Sequence, residues 1–445
     1  VKKHIDLTRG SVEGHVLRMT PPMTVAFFSM MAFNLADTWF VSRLGTQSLA
    51  AMGFTFPIVM VFYSIAMGIG LGTSSCVSRA IGAQDYDRVQ HLTTYSLLLT
   101  LGIMCLLAFF GRRYMPEMLT VLGAEANTKQ LAMKYMRVWF LFAPAAALPL
   151  VGNNAISATG DTLWPGIIIS SAAVLNVIMD PILIFGWGPI PAMGITGAAL
   201  ATGLTHLLTV GWAFLLIHYK CHLLTMRWTG LRKLLGAWGS VLQIAIPSAA
   251  TNLLMPVTMG IVTRMISGFG EVAVAATAVG QRIEHFTYLL PMAMGSTLVP
   301  IIGQNWGAKR VDRAHEAWVK TNWYGIAYAV LCLGLAIPLA APVARLFSRD
   351  PEVIRFVTHY LWIILTGAIL QHPMVYTGFA FNAIQKPLHA SLLTVIRLAG
   401  LTLPMAYLGS HLLGVYGVYL GISAATILAS LLALTWFSKT VRGAM

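Results

Sequence analysis

Leu97-Leu98-Leu99-Thr100-Leu101-Gly102-Ile103-Met104 is apolar at almost every position and shows no alternation of apolar and polar side chains. A transmembrane β-strand would alternate over about ten residues, so the stretch reads as a helix that is hydrophobic all round. Widening the window gives an apolar run over 91–111, close to the roughly 20 residues an α-helix needs to cross a bilayer. The rest of the chain repeats this pattern. Only 29 Lys and Arg and 15 Asp and Glu occur among 445 residues, 57% of residues are hydrophobic and the mean hydropathy is +0.74. A soluble domain carries about 25% charged residues; here the share is 10%. That is too little to cover soluble surfaces, which excludes a cytosolic or secreted enzyme and a disordered chain.

Apolar runs predict twelve spans, near 16–42, 50–78, 91–111, 130–156, 164–186, 192–218, 240–266, 275–303, 316–344, 354–381, 387–409 and 411–437. The fold class is an all-α polytopic membrane protein. The net charge of +14 points to Lys and Arg in cytoplasmic loops facing anionic lipid, with no nucleic-acid partner. The larger share of these cations, including Lys2, Lys3, Arg88, Arg232, Lys233, Lys309 and Arg313, falls on the side that holds both termini. Both termini are therefore expected in the cytoplasm and the chain in the inner (plasma) membrane. Cys76, Cys105, Cys221 and Cys332 stand singly, without zinc-like spacing or a disulfide framework. No G-x-x-x-x-G-K-[ST] or H-E-x-x-H occurs, so neither ATP hydrolysis nor a metal cofactor is expected. Gly68-Ile69-Gly70-Leu71-Gly72 has no preceding strand and reads as close helix packing.

The chain is also a repeat. An offset of 225 residues superimposes Gly82-Ala83-x-x-x-Asp87-Arg88 on Gly307-Ala308-x-x-x-Asp312-Arg313, Gly45 on Gly270 and Pro22 on Pro247. Further on the offset drifts, with Asp180-Pro181 meeting Leu403-Pro404 and Gly194-x-x-Gly197 meeting Gly414-x-x-Gly417. Six spans per half is an even number, so the halves share one orientation. The expected organisation is an N-terminal six-helix bundle over 1–218, a cytoplasmic amphipathic linker with a helix over 219–239, and a C-terminal six-helix bundle over 240–445. A central cavity between pseudo-symmetric bundles suits alternating access.

Three acidic residues fall inside spans, namely Asp37, Asp180 and Glu284. An ionised carboxylate there costs a few kcal/mol even on permissive scales. Asp37 and Asp180 both come out about 25–30 Å from the inner side at 1.5 Å per residue. Asn176 precedes Asp180 by one helical turn, and Pro181 frees the carbonyl of Val177. Two carboxylates, an amide and a free carbonyl suit a proton or Na⁺. Val262 and Leu403 occupy the equivalent positions of the other half. In the C-terminal half, Gln281-Arg282-Ile283-Glu284-His285 enters the eighth span and Arg397 lies deep in the eleventh. Arg397 needs an anionic or carbonyl partner, for which Glu284 is a candidate. A structural ion pair and a substrate contact are both open for Arg282, Glu284 and Arg397.

The residues resemble the multidrug and toxic-compound extrusion family over nearly the whole chain. The resemblance rests on Asp37-Thr38-Trp39-Phe40-Val41-Ser42-x-Leu44-Gly45, Ser157-Ala158-Thr159-Gly160-Asp161-Thr162 and Asn176-x-x-x-Asp180-Pro181. It continues in Gly194-x-x-Gly197-Ala198-Ala199-x-Ala201-Thr202 and Gly303-Gln304-Asn305-x-Gly307-Ala308. The branch looks like the DNA-damage-inducible protein F type. The resemblance implies a monomeric exporter of drugs or toxic organic compounds, coupled to H⁺ or, second, to Na⁺ at Asp37 and Asp180. Asp37, Asn176, Asp180 and Thr202 would match its coupling site, with Asn153 or Asn154 as a further amide. Pro22 would match the proline at which the first helix bends. That reading competes with Pro22 simply starting the span, where a first-turn proline is tolerated. A flippase for lipid-linked oligosaccharide is the alternative function, and an intramembrane transferase would need a carboxylate-rich diphosphate motif that the sequence lacks.

Overall fold

The computed structural model describes residues 5–444; Lys2 and Lys3, counted above on the cytoplasmic side, lie outside them. The helices follow in chain order as α1 (Val12–Ser42), α2 (Thr46–Gly82), α3 (Tyr86–Val121), α4 (Ala126–Ala158), α5 (Leu163–Phe185) and α6 (Ile195–Leu215). The second half has α7 (Leu231–Ser267), α8 (Glu271–Gly307), α9 (Val311–Phe347), α10 (Pro351–Ala383), α11 (Pro387–Val395) and α12 (Leu403–Arg442). Wide π turns at Leu216–Lys220 and Ile396–Thr402 extend α6 and join α11 to α12. Extended pairing among the described residues is confined to the Trp187–Ile190 bridge.

Eleven helical stretches among the described residues are long and apolar enough to cross a membrane, and the last, Pro387–Arg442, has 56 residues. At 1.5 Å per residue that is about twice a bilayer's thickness. It holds two spans. The helix breaks at Leu413 and Gly414, and a Cβ on Gly409 would collide with the carbonyl oxygen of Gly417, so the chain doubles back between them. The α5–α6 hairpin is built the same way, with Gly197 against the Leu183 carbonyl. All twelve predicted spans are helical, and most helices extend a few residues beyond the apolar run at each end.

The sequence motifs are the joints of this scaffold. Asp85 caps α3 by accepting from the Arg88 N–H at 3.1 Å. In the turn before α5, Gly160 takes φ 87° and Asp161 Oδ1 accepts from the Leu163 N–H. Gln304 and Asn305, at the end of α8, clasp the segment before α1. Gln304 Oε1 accepts from the Leu7 N–H at 3.0 Å and Asn305 Nδ2 donates to the Leu7 carbonyl at 3.1 Å. Arg310 and Arg313 add bonds to the carbonyls of Thr8 and Gly10. Gly68 and Gly72 let α2 approach the Ala245 and Val241 carbonyls of α7, and Gly70 lies against Asn154. The glycine run is helix packing.

The linker differs from expectation. Residues 222–230 are not helical, and α7 begins at Leu231. Polar groups on α3 hold this segment out of a helix by taking up its backbone. Gln90 Nε2 donates to the His222 carbonyl at 2.8 Å, Thr225 N–H donates to Thr94 Oγ1, and Thr229 N–H donates to the Tyr95 hydroxyl. With those partners available and Leu223 fully buried, an independent amphipathic helix has nothing to gain.

Two compact units result. One comprises Pro21–Ala249 with the residues up to Asp6; the other comprises Leu7–Thr20 and the chain from Ala250 onward. The boundaries fall inside α1, just before Pro22, and inside α7, just after Pro247. Pro21 and Pro22 lie well inside α1, which starts at Val12. The reading of Pro22 as a first-turn helix start therefore fails, because ten residues of helix precede it.

Candidate functional site

In the first unit α1 and α5 run side by side in the same direction. Gly166 packs on the carbonyl of Pro22, and Ser29 Oγ donates to Ser170 Oγ at 3.1 Å. Continued at that register, the two helices bring Asp37 and Asp180 to one depth. Asp180 is fully buried at 0% exposure, and Asp37 and Asn176 are buried beside it. The carboxylates lie within electrostatic range of each other, and Tyr135 on α4 is within range of both.

The amide of Asn176 is oriented by its neighbours. With Nδ2 facing Asp180 it donates to Oδ2 at 2.8 Å, while its oxygen accepts from Thr202 N–H and Oγ1–H, each at 3.2 Å. The opposite orientation would face carboxylate oxygens with the amide oxygen, so the donor side belongs toward Asp180. Thr202 is held in place by α6, whose hairpin with α5 is closed by Gly194 and Gly197. Asp180 is thus anchored by a hydrogen bond. Asp37 Oδ1, in contrast, is buried with no hydrogen-bond partner among the described residues. A buried carboxylate oxygen without a donor is a costly arrangement, and an added proton or cation would relieve it.

Asn176, Asp180 and Thr202 are therefore joined by hydrogen bonds, and Asp37 lies within electrostatic range of Asp180. Asn153 and Asn154 are not hydrogen-bonded to this group among the described residues. Asn153 Oδ1 has no partner, Asn154 Nδ2 donates to the Leu150 carbonyl at 2.9 Å, and no hydrogen bond links either to the carboxylates among the described residues. Tyr135 was not legible in the sequence. It stands in Lys134-Tyr135-Met136-Arg137, inside the predicted 130–156 span, where nothing in the pattern sets it apart. An apolar recess lined by Leu97, Leu101, Phe214 and Met226 contains none of these residues.

In the second unit, Glu284 Oε2 accepts from the Tyr360 hydroxyl at 2.6 Å. The Tyr360 ring meets Tyr419 edge-on at 4.9 Å, and the Tyr419 hydroxyl bonds Thr277. Glu284 is thus engaged by α10, and no ion pair within 4 Å joins it to Arg282 or Arg397 among the described residues. Arg282 is exposed.

A family profile described as MatE matches residues 22–182 and again residues 247–408, repeating the internal duplication. An FAD transporter of Shewanella oneidensis is 34% identical over 416 residues, covering 93% of this chain and 91% of that protein. The multidrug export protein MepA of Staphylococcus saprophyticus is 23% identical, over 96% of this chain and 93% of that protein. The crystal structure of the Vibrio cholerae MATE transporter VcmN in the bent form superposes with a TM-score of 0.93 at 28% identity, covering 97% of this chain and 98% of that one.

Proposed function

The chain belongs to the MatE family of multi-pass membrane transporters and is no enzyme, and on that premise we propose that it is a proton-driven exporter of organic small molecules. The observation that carries the coupling is the buried Asp37–Asp180 pair with one orphaned oxygen on Asp37. Export by alternating access would proceed as Asp37 takes up a proton at that oxygen, loses its charge, and lets α1 bend near Pro22. The position of Pro22 supports this, since it lies inside the helix at the limit of a compact unit and cannot bond the Arg18 carbonyl. The excess of Lys and Arg on one side supports cytoplasmic termini in the plasma membrane.

A proton fits the donor set better than Na⁺. Hard cations are held by about six oxygens. The Asn176 oxygen is committed to Thr202, and its nitrogen faces Asp180. The amide therefore contributes a donor where a cation would want an acceptor. What remains unsatisfied is Asp37 Oδ1, which a single proton completes.

The cargo is the part on which relatives diverge, since one is an FAD transporter and another a multidrug export protein. Purified protein in vesicles, loaded with fluorescent organic probes of both charges (ethidium and FMN) and given either a pH gradient or an Na⁺ gradient, tests the proposal. Transport should follow the pH gradient in the wild type and vanish in Asp37→Asn. Transport driven by Na⁺ alone, or unchanged in Asp37→Asn, would overturn it.

A further inference from the structure

Arg397 sits in the Ile396–Thr402 π turn, between α11 and α12. Such widened turns are rare and are often found at functional sites. By the offset that pairs Asp180 with Leu403, the corresponding stretch of the first unit is 173–179, regular α-helix in which the apolar Val174 stands in the place of Arg397. The second unit therefore carries both an irregular backbone and a cation at a position where its repeat partner has neither.

The cation lacks a partner. Arg397 makes no hydrogen bond and no ion pair within 4 Å among the described residues, and its Nε is buried with no partner at all. Glu284 and Tyr288 are within electrostatic range, but Glu284 spends its Oε2 on the Tyr360 hydroxyl. Tyr288 stands 6.1 Å, ring to ring, from the buried His372, whose Nδ1 is bonded to the Gly325 carbonyl. A guanidinium inside a membrane segment is costly unless an anion or carbonyl meets it. Its planar fork matches a phosphate or carboxylate in two parallel hydrogen bonds.

The geometry points to Arg397 as the site that receives an anionic group, phosphate or carboxylate, of the exported molecule. The inference rests on the export function proposed above and adds to it a cargo class with a negative group. Glu284, near but unbonded to Arg397, keeps the guanidinium from standing as an isolated charge before cargo arrives. Cargo with a phosphate then completes the hydrogen bonds that the protein leaves open.

Riboflavin, FMN and FAD give one ring system with no phosphate, one and two. Binding of each to the purified full chain in phosphatidylcholine vesicles is read by flavin fluorescence, and transport is read with an imposed pH gradient. In the wild type FMN and FAD should bind more tightly than riboflavin. Arg397→Gln should lower the ratio of FMN to riboflavin affinity by about tenfold or more, as expected for loss of charge-assisted hydrogen bonds, and Arg397→Lys should restore part of it. An unchanged ratio overturns the inference, as does an equal loss for all three flavins. If phosphatidylglycerol binds in an Arg397-dependent way while FMN does not, the anion is a lipid headgroup and the cargo assignment falls. Failure of the export proposal reads differently, as flavin binding without pH-driven transport of any probe.

Discussion

Gly194 and Gly414 hold nearly the same backbone angles, φ 58° and ψ −137° against φ 60° and ψ −139°. Gly45 and Gly270 match as well, at φ 105° and 101°, and Gln84 and Lys309 are both left-handed at φ 62° and 58°. At these three turns the second half is a copy of the first. Its polar interior is not. The first unit buries Asp37, Asp180 and Asn176 where the second has Val262, Leu403 and Ala399, and the second carries a half-buried Arg397 where the first has the apolar Val174. A duplicated scaffold needs its turns in both copies, because each hairpin must close. It needs the ion-binding chemistry only once, and each extra buried charge costs energy. The difference locates function in what the repeat does not share.

Replacing one member of the unshared set tests that reasoning most severely. Asp37→Asn should abolish pH-driven export while the protein still inserts and purifies normally. Full drug resistance in cells at equal expression would remove the coupling role and with it the reading of the asymmetry. Next in size are Asp180→Ala and Asn176→Ala. Each breaks a hydrogen bond to a charged group, worth about 1.5–3 kcal/mol or roughly tenfold to a hundredfold in an equilibrium. The repeat-equivalent changes, Leu403→Ala and Ala399→Gly, should slow export far less in the same vesicle assay. Comparable losses in both halves would mean that packing, and not chemistry, was being measured.

A smaller effect is expected where the halves agree in sequence but differ in surroundings. Pro22 and Pro247 both lie in helix interiors at the limits of the compact units. Only α1 carries the proposed coupling carboxylate, fifteen residues after its proline. Pro22→Ala should slow export severalfold by restoring a helix bond that resists bending, and Pro247→Ala should do less. Equal rates for the two variants would mean that proton uptake at Asp37 does not act through a bend in α1.

Much of this was legible before any coordinates. Hydrophobic runs long enough to span a bilayer leave few alternatives to helix, so all twelve spans could be read. Asp37 and Asp180 were visible because charge inside an apolar run is expensive and stands out. Tyr135 was not, since a tyrosine beside Lys134 and Arg137 is unremarkable until the fold of α4 carries it within electrostatic range of the acids. The non-helical linker at 222–230 was misread as helix because its partners, Gln90, Thr94 and Tyr95, lie more than a hundred residues earlier. The relation of Arg397 to Glu284 was equally hidden. Their spacing allowed an ion pair, and the hydrogen bond from Tyr360 took Glu284 instead.

The smallest effect is expected at the turns, where the halves should respond alike. Backbone at φ near 60° and ψ near −140° is open to glycine and strained for any residue with a Cβ. Neither Gly194 nor Gly414 has close atoms that a methyl group would strike. Nothing lies within 4 Å of an added Cβ on Gly194, and the nearest atom to one on Gly414 is Phe269 Cε1 at 3.6 Å. Gly194→Ala and Gly414→Ala should therefore each lose about 1–3 kcal/mol from backbone strain alone. The expected reading is a similar fall in the temperature at which detergent-solubilised protein leaves the monodisperse peak, with export retained in both. A large loss at Gly194 but not at Gly414 would point to the α5–α6 turn as more than a joint. Because Gly194 closes the hairpin that carries Thr202 to Asn176, such a result would extend the unshared chemistry from buried side chains into the backbone that positions them.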